Sequence, residues 1–360
     1  MLSRVLSAKW LLALLGAVLV GLGAWVVLHG RPAPVEDGRY VVMGSAFPVV
    51  VDLVTGKTVG GVPTPDGAFV AYTTVARGAE AGTYLAATEV RQRAQVGRAG
   101  PRGARARIYR LEMDDKGRLE VAGAVSEQVE GVIRSIAVSP AGEIAYARTM
   151  VDEDDRFFSF AGVVGRGEEW PVEDPYRLFW ADETTLVFPS RAGPPWTLGT
   201  KDDGEKFIAG GGFLPTLDVA TGVRGKVAVP PDLTSYGMVR LAGGRAVWAT
   251  EEEQGAERVV SLVLYDGPTA IGTIYRATVG KVVVMRLDAR GERLLVGHEV
   301  TKATGDGMSD VQVDQQLVRL DLRPVLRLPV PERGERRGLE VPQQRVWQGD
   351  GELGMEEIAW

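Results

Sequence analysis

The stretch Ile136-Ala-Val-Ser-Pro-Ala-Gly-Glu-Ile-Ala-Tyr146 contains the pattern that decides the fold. Two apolar segments flank a Ser-Pro-Ala-Gly turn, and Pro and Gly supply the backbone angles that a tight reversal needs. Short apolar segments on both sides of such a turn are typical of a β-hairpin. The stretch therefore predicts two antiparallel strands joined by a short turn.

Four further stretches repeat this pattern, with Asp, Gly or Pro at the turn. They are Gly61–Tyr72, Leu178–Phe188, Met238–Trp248 and Val284–Val296. When the five turns are aligned at residues 67, 142, 183, 244 and 291, the spacings between them are 75, 41, 61 and 47 residues. A four-stranded propeller blade takes roughly 40–50 residues. The two long intervals therefore predict insertions.

A second kind of apolar pair lies between these hairpins and carries Asp before a Thr-Gly turn. Val49–Val59 and Leu217–Val227 show the whole unit, and Leu317–Leu322 shows its Leu-Asp part. In a four-stranded blade these pairs would be the third and fourth strands, since the first kind of hairpin already supplies the first and second.

The turns Ser139-Pro140-Ala141-Gly142 and Pro65-Asp66-Gly67, with the Leu-Asp-x-x-Thr-Gly elements, resemble the repeats of WD40-like propellers of the TolB type. The resemblance is one of repeat style over roughly residues 39–360, and it implies a six-bladed β-propeller. The later repeats depart from the Ser-Pro-Asp-Gly turn of that family. Seven blades, an irregular β-sandwich and a pair of β domains therefore remain alternatives.

The two ends of this region favour a closed ring. The segment Arg39–Met43 resembles the second strand of a blade with no first strand before it, and Gly354–Trp360 resembles a first strand. Pairing the two would cover both open edges, which exposed sheets otherwise leave available for aggregation. We therefore expect an all-β fold, a β-propeller of six four-stranded blades closed by its N- and C-terminal strands.

Residues 10–28 form a run of 19 residues without a charge. At about 1.5 Å per residue, a helix of this length spans close to the ~30 Å hydrocarbon layer of a membrane. Arg4 and Lys9 precede the run, which favours a cytoplasmic N-terminus. A cleaved signal peptide is the alternative, although its apolar stretch is usually shorter and ends at small residues.

These features predict a single-pass protein of the cell membrane with an extracytoplasmic C-terminal domain. Residues 1–9 would be a short cytoplasmic N-terminus, 10–28 a transmembrane signal-anchor helix, 29–38 a linker and 39–360 the propeller.

Seven arginines concentrate in residues 76–107, which we interpret as a basic insertion in the propeller. They are Arg77, Arg91, Arg93, Arg98, Arg102, Arg105 and Arg107. A short helix is expected over Thr83–Val96, because Ala, Leu, Glu, Gln and Arg favour helices. Such a cluster could contact an anionic surface, either lipid headgroups or wall polymer. A solvated insertion without a binding role is the alternative.

The composition excludes several classes of site. The net charge is −6, so no basic face for nucleic acid is expected. The chain has no Cys and only two His, His29 and His298, which argues against a zinc site or a His-based catalytic site. The acidic sets Asp152–Asp155 and Asp306, Asp310 and Asp314 are interpreted as charged loop tips. No catalytic residue, metal ligand or cofactor site is predicted.

The function predicted from these patterns is a non-enzymatic binding platform. The partners would be the membrane, through residues 10–28, and a protein or an envelope polymer. The alternative is an exported hydrolase or lyase with a carboxylate site in the central channel, and a structural component of the envelope is a third class.

Overall fold

The computed structural model describes residues 38–44, 47–65, 70–90, 103–152, 154–172, 175, 178–188, 197–200, 206–209, 213–228, 238–254, 257–278, 281–288, 290–303, 311–332, 337–349 and 358–360. The expected transmembrane segment, residues 10–28, lies outside these ranges. Within them, no helix is long and apolar enough to cross a membrane. The regular structure there is β-strand, apart from a 3-10 turn at Ala242–Gly244.

The strands form six antiparallel sheets, which are the six predicted blades of a propeller. Within each blade the strands are given from the first (inner) to the fourth (outer). Blade 1 consists of β27 (Ile358–Ala359), β1 (Tyr40–Met43), β2 (Val49–Asp52) and β3 (Lys57–Gly61). Blade 2 consists of β4 (Val70–Arg77), β5 (Thr83–Val90), β6 (Arg105–Met113) and β7 (Leu119–Ala124), with the short β8 (Val129–Glu130) paired to β6. Blade 3 consists of β9 (Val132–Val138), β10 (Ile144–Val151), β11 (Phe157–Val163) and β12 (Glu169–Pro171).

Blades 4 to 6 follow the same order. Blade 4 consists of β13 (Phe179–Trp180), β14 (Thr185–Val187), β17 (Phe213–Asp218) and β18 (Arg224–Ala228). Blade 5 consists of β19 (Met238–Arg240), β20 (Arg245–Gln254), β21 (Glu257–Asp266) and β22 (Thr269–Thr278). Blade 6 consists of β23 (Lys281–Leu287), β24 (Arg293–Ala303), β25 (Val311–Asp321) and β26 (Gln343–Gly349). A separate hairpin of β15 (Thr197–Thr200) and β16 (Lys206–Ala209) lies between β14 and β17, so the insertion expected in this interval is confirmed.

The predicted ring closure is confirmed by the pairing of β27 with β1. Val42 lies opposite Ala359 and Met43 opposite Ile358 in an antiparallel ladder. The indole Nε1 of the buried Trp360 donates a hydrogen bond of 3.1 Å to the carbonyl oxygen of Gly38. Blade 1 is thus built from both ends of the described chain, and its first strand is the last one in sequence.

The core consists of hydrophobic clusters between neighbouring blades. Strand β1 shows why the blades pack in this way, because successive side chains of a strand point to opposite faces. Tyr40 and Val42 pack against blade 2, whereas Val41 and Met43 pack against blade 6. Equivalent clusters join blades 2 and 3, 3 and 4, 4 and 5, and 5 and 6. Both faces of a blade are therefore buried, and all four residues of β1 are apolar.

Four of the five predicted hairpins are confirmed as first and second strands of blades 3 to 6. The exception is Gly61–Tyr72. Its two halves belong to β3, the fourth strand of blade 1, and β4, the first strand of blade 2, which do not pair. The units Val49–Val59 and Leu217–Val227 are third and fourth strands, as predicted.

The antiparallel order gives the ring two different faces. The connections from first to second strand and from third to fourth strand lie on one face, which we call the turn face. The connections from second to third strand and from blade to blade lie on the other, the loop face. Gly38 precedes a second strand and Trp360 follows a first strand, so both lie on the turn face.

Candidate functional site

A long connection between β25 and β26 runs from blade 6 across the outer edge of blade 5. We call its described parts, residues 322–332 and 337–342, the strap. Backbone carbonyls and an amide of the strap are hydrogen-bonded to blade 5. The Arg245 guanidinium donates to the carbonyls of Leu326 and Leu328, each at 2.6 Å, and also contacts Asp266 at 3.2 Å.

Further along, the strap pairs with the edge of β22. The Thr273 amide donates to the Arg337 carbonyl at 2.8 Å, and the Leu339 amide donates to the Thr273 carbonyl at 2.7 Å. Gly272 permits this approach, because a Cβ at that position would lie 2.7 Å from the Arg337 carbonyl oxygen. Leu339 also packs against the cluster between blades 5 and 6.

A cavity of about 900 Å³ lies between the strap and blade 5. Its wall is mixed in character, with apolar groups from both elements and hydroxyl, guanidinium and carboxylate groups among them. It is lined by Thr250, Ser261, Val263, Thr273, Ile274, Tyr275, Arg276, Pro324, Gly338, Leu339, Glu340, Val341, Pro342 and Gln343. This volume is in the range of small-molecule and peptide sites.

A polar row crosses the wall that blade 5 contributes to the cavity. Thr250 lies opposite Ser261, and Ser261 lies opposite Arg276, on three consecutive strands. Ser261 is only 8% exposed and lines the cavity. A polar side chain held in a cavity wall by sheet pairing is the kind of fixed group that orients a ligand.

His298 lies behind this cavity, with its ring centroid 6.3 Å from that of Tyr275. His298 lies within β24 and is buried. Burial lowers the pKa of His298, and the hydrogen bond with Gln316 offsets only part of that effect. The imidazole is therefore neutral at physiological pH, and its Nδ1 has no hydrogen-bond partner in the described part of the chain.

Carboxylates with lowered pKa values are held by structural hydrogen bonds. Burial alone would raise the pKa of Glu169, but Arg148 and the Tyr146 hydroxyl donate to its carboxylate at 2.5 to 2.8 Å and hold the pKa below its ordinary value. Hydrogen bonds from the Thr221 hydroxyl and amide lower the pKa of Asp218, which closes a turn between β17 and β18.

The acidic sets identified in the sequence differ in their surroundings. An Asp152 carboxylate oxygen accepts the amides of Asp154 and Arg156, each at 2.9 Å. Asp314 is buried within β25, whereas Asp306 and Asp310 lie outside the described residues. No group of three or more His, Cys, Asp or Glu side chains in the described ranges could hold a metal ion.

The structure places the predicted basic residues at two ends of blade 2. Arg77 ends β4 on the turn face, opposite Tyr84, whereas Arg105 begins β6 on the loop face, opposite Val90. Six residues of β5 separate these levels, which corresponds to about 20 Å. Arg107 lies near Arg105 on β6. Arg91, Arg93, Arg98 and Arg102 lie outside the described residues, so an anionic-surface role for the set stays a prediction.

The expected helix over Thr83–Val96 is wrong for residues 83–90, which form β5. These residues pair with β4 on one side and β6 on the other. Much of the segment interpreted as an insertion, including residues 83–90 and 105–107, is thus regular sheet of blade 2. Residues 91–96 lie outside the described ranges.

The cavity has no counterpart in the motifs found by sequence analysis. Its lining comes from three strands of blade 5 and from the strap, and these elements are distant in sequence. The available signal was the length of the segment between Leu322 and Gln343, which is long for the connection of two adjacent strands.

Comparisons with known proteins found matches among the solved structures. No family model matches the sequence, and no curated protein matches it. The chain is similar to a hypothetical selenium-binding protein from Sulfolobus tokodaii, with 12% identity, 90% of this chain and 93% of that chain covered, and a TM-score of 0.41. It is also similar to prolyl oligopeptidase B from Galerina marginata, with 11% identity, 88% and 52% covered, and a TM-score of 0.42.

A third similar structure is the hydrazine synthase of Kuenenia stuttgartiensis, with 12% identity, 69% of this chain and 62% of that chain covered, and a TM-score of 0.37. The chain thus spans about half to two thirds of the length of the last two proteins. Identities and TM-scores of this size carry no argument about activity.

Proposed function

We propose that this chain is a membrane-tethered, extracytoplasmic binding module whose ligand occupies the cavity between blade 5 and the strap. The observation that carries the proposal is a cavity of about 900 Å³ whose wall holds Thr250, Ser261 and Arg276 in register on three consecutive strands. Ligand pockets combine an apolar wall with a few such fixed polar groups.

The lining favours binding over catalysis. It contains one carboxylate, that of the exposed Glu340, and no histidine. General acid–base chemistry needs a second titratable group within hydrogen-bond reach of the reacting atoms. The hydroxyls of Ser261 and Tyr275 and the Arg276 guanidinium can all donate, so they suit a ligand that presents oxygen acceptors beside an apolar body. A peptide or an envelope polymer has this character.

The alternative enzyme would need carboxylates around the central channel. The first strands of the blades, which lie closest to the axis, contain no Asp or Glu within their described bounds. These strands instead contribute positively charged side chains, among them Arg77, Arg134, Arg240 and Arg286. The composition of these strands therefore supports the binding module over a hydrolase or lyase with a carboxylate site there.

The tether is proposed from residues 10–28, with residues 29–38 as its linker. Gly38 lies on the turn face, so residues 29–38 would lead from that face to the membrane. Extended Pro-containing chain covers roughly 3 Å per residue. The linker therefore allows a separation of at most about 30 Å between the turn face and the membrane surface.

Site-specific photo-crosslinking tests the proposed ligand site. The photoreactive amino acid p-benzoylphenylalanine replaces Arg276 in the full-length chain, which is then irradiated in its native membranes. We expect a discrete adduct at position 276. We expect its yield to fall when Ser261 is also replaced by Leu, which removes the hydroxyl and occupies part of the cavity.

The matched control carries the same probe at Glu120, which is likewise an exposed residue on the fourth strand of a blade. An adduct of equal yield at both positions would show non-specific labelling and contradict the proposal. The absence of any adduct at position 276 would also contradict it.

A further inference from the structure

The hairpin of β10 and β11 ends on the loop face in two exposed phenylalanines. Phe157 is 69% exposed and Phe158 is 41% exposed. They lie opposite Val151 and Met150, so the last two cross-strand pairs of this hairpin are apolar. Adjacent residues of a strand point to opposite faces, and the hairpin end therefore presents a phenyl ring on each side. Large apolar groups exposed together are typical of interaction sites.

The turn that joins these strands is acidic, and its described residues are held by local hydrogen bonds. The Asp152 carboxylate accepts two amides of the turn, and Asp155 adopts a positive φ of 63°. The side chains of Asp154 and Arg156 are more than 70% exposed and form a weak pair at 3.6 Å. Residues 152–156, Asp-Glu-Asp-Asp-Arg, carry four acids against one arginine. The aromatic pair is therefore bordered by fixed negative charge.

The combination of two exposed phenyl rings with an acidic turn argues against a lipid surface as the partner. If the phenyl rings entered a bilayer, the acidic turn would be brought into the headgroup layer, where anionic lipids repel it. A protein surface with an apolar cleft and basic residues at its rim offers both complements, since complementary charge favours encounter and register.

We propose that the hairpin end, residues 150–152 and 154–158, inserts into an apolar cleft of a protein partner whose rim carries Lys or Arg. The hairpin end lies on the loop face, opposite the face that holds Gly38. The strands of a blade separate the two faces by roughly 25 Å. The surface is therefore directed away from the proposed tether. The proposal does not depend on a ligand in the cavity beside blade 5.

The test places p-benzoylphenylalanine at position 157 of the full-length chain in its native membranes. We expect one dominant adduct with another protein, and a crosslinked peptide with net positive charge. Phe158→Ser or the double change Asp154→Lys and Asp155→Asn should reduce the adduct yield at least about tenfold, as expected for contacts that dominate an interface. Asn at position 155 tolerates the positive φ.

Phe47→Ser is the matched control, since Phe47 is also on the loop face and is 74% exposed. It should leave the yield unchanged. Thermal unfolding of each variant should match the parent chain, so that a loss of adduct cannot reflect a loss of fold.

Four outcomes would overturn the proposal: no adduct at position 157, an adduct with lipid or with a second copy of this chain, an acidic crosslinked peptide, or a yield that the charge changes do not alter. Binding of the full-length chain to phosphatidylglycerol vesicles that is lost in Phe157→Ser/Phe158→Ser would point instead to a membrane contact. An adduct at position 276 without an adduct at position 157 would support the ligand site in the cavity and contradict the protein-docking role of the hairpin end.

Discussion

Replacement of Trp360 by Ala should strongly destabilise the propeller, because this side chain joins the two ends of the described chain. Trp360 is 2% exposed and packs in the cluster between blades 1 and 6. Truncation of a buried aromatic to Ala costs about 3–5 kcal/mol. The hydrogen bond from Nε1 to the Gly38 carbonyl contributes about 1 kcal/mol more. We expect a loss of about 4–6 kcal/mol in the free energy of unfolding.

Trp360→Phe separates the two contributions. It keeps an aromatic ring in the cluster and removes the donor, so it should cost only about 1–2 kcal/mol. Urea unfolding of the full-length chain in detergent, followed by far-ultraviolet circular dichroism, measures both variants.

Phe157→Ser serves as the control for an exposed aromatic residue and should stay within about 0.5 kcal/mol of the parent chain. A loss below about 1 kcal/mol for Trp360→Ala, or equal losses for the Ala and Phe variants, would refute the argument that ring closure depends on this indole.

Three further predictions concern the strap and the network in blade 3. Gly272→Ala should cost about 1–3 kcal/mol by overpacking against the strap, whereas Gly60→Ala, where a Cβ meets nothing within 4 Å, should cost less than about 1 kcal/mol in urea unfolding. Arg245→Ala removes the donors to two strap carbonyls, so hydrogen–deuterium exchange should rise in residues 324–342 and not in β10 and β11. The pKa of Glu169 is lower in the folded protein than its ordinary value of 4.5. Its ion pair with Arg148 therefore stabilises the fold above pH 4.5, and this contribution disappears as the pH falls through the folded pKa. Glu169→Gln should flatten the acid side of a plot of stability against pH, and an unchanged slope would contradict this assignment.

The repeat pattern of the sequence predicts the architecture because a propeller blade is a local structure. Each confirmed hairpin joins strands that are neighbours in sequence, so Ile136–Tyr146 and its equivalents contain both partners and the turn. Gly61–Tyr72 has the same composition, but its two strands belong to different blades. The turn residues alone cannot distinguish a hairpin from a connection between blades, since both reverse the chain on the surface.

The helix prediction for Thr83–Val96 failed for a different reason. Its Ala, Leu and Glu residues favour a helix when considered alone, yet residues 83–90 fill the gap between β4 and β6. Pairing on two sides and burial of Leu85 and Ala87 override a propensity worth a few tenths of a kcal/mol per residue.

The candidate sites depend on contacts that no local pattern records. The cavity needs Ser261 and Arg276 in register across blade 5 and a strap that begins some 45 residues later. The dense run of arginines likewise suggested one surface. The strand directions place Arg77 and Arg105 at opposite ends of blade 2, because an antiparallel sheet separates residues that lie close in sequence.

The joining of β27 to β1 also has a consequence for the biogenesis of the protein. Trp360 and Gly38 are 322 positions apart in the chain, so contacts of the longest sequence separation close the ring, and such contacts form slowly. A ribosome delivers residues 358–360 after every other strand of the ring. Until then β1 has an unpaired edge, which can recruit another extended chain. The nascent domain would therefore depend on chaperones until β27 is made, and removal of residues 358–360 should produce a chain that is synthesised but aggregates through the open edge of blade 1.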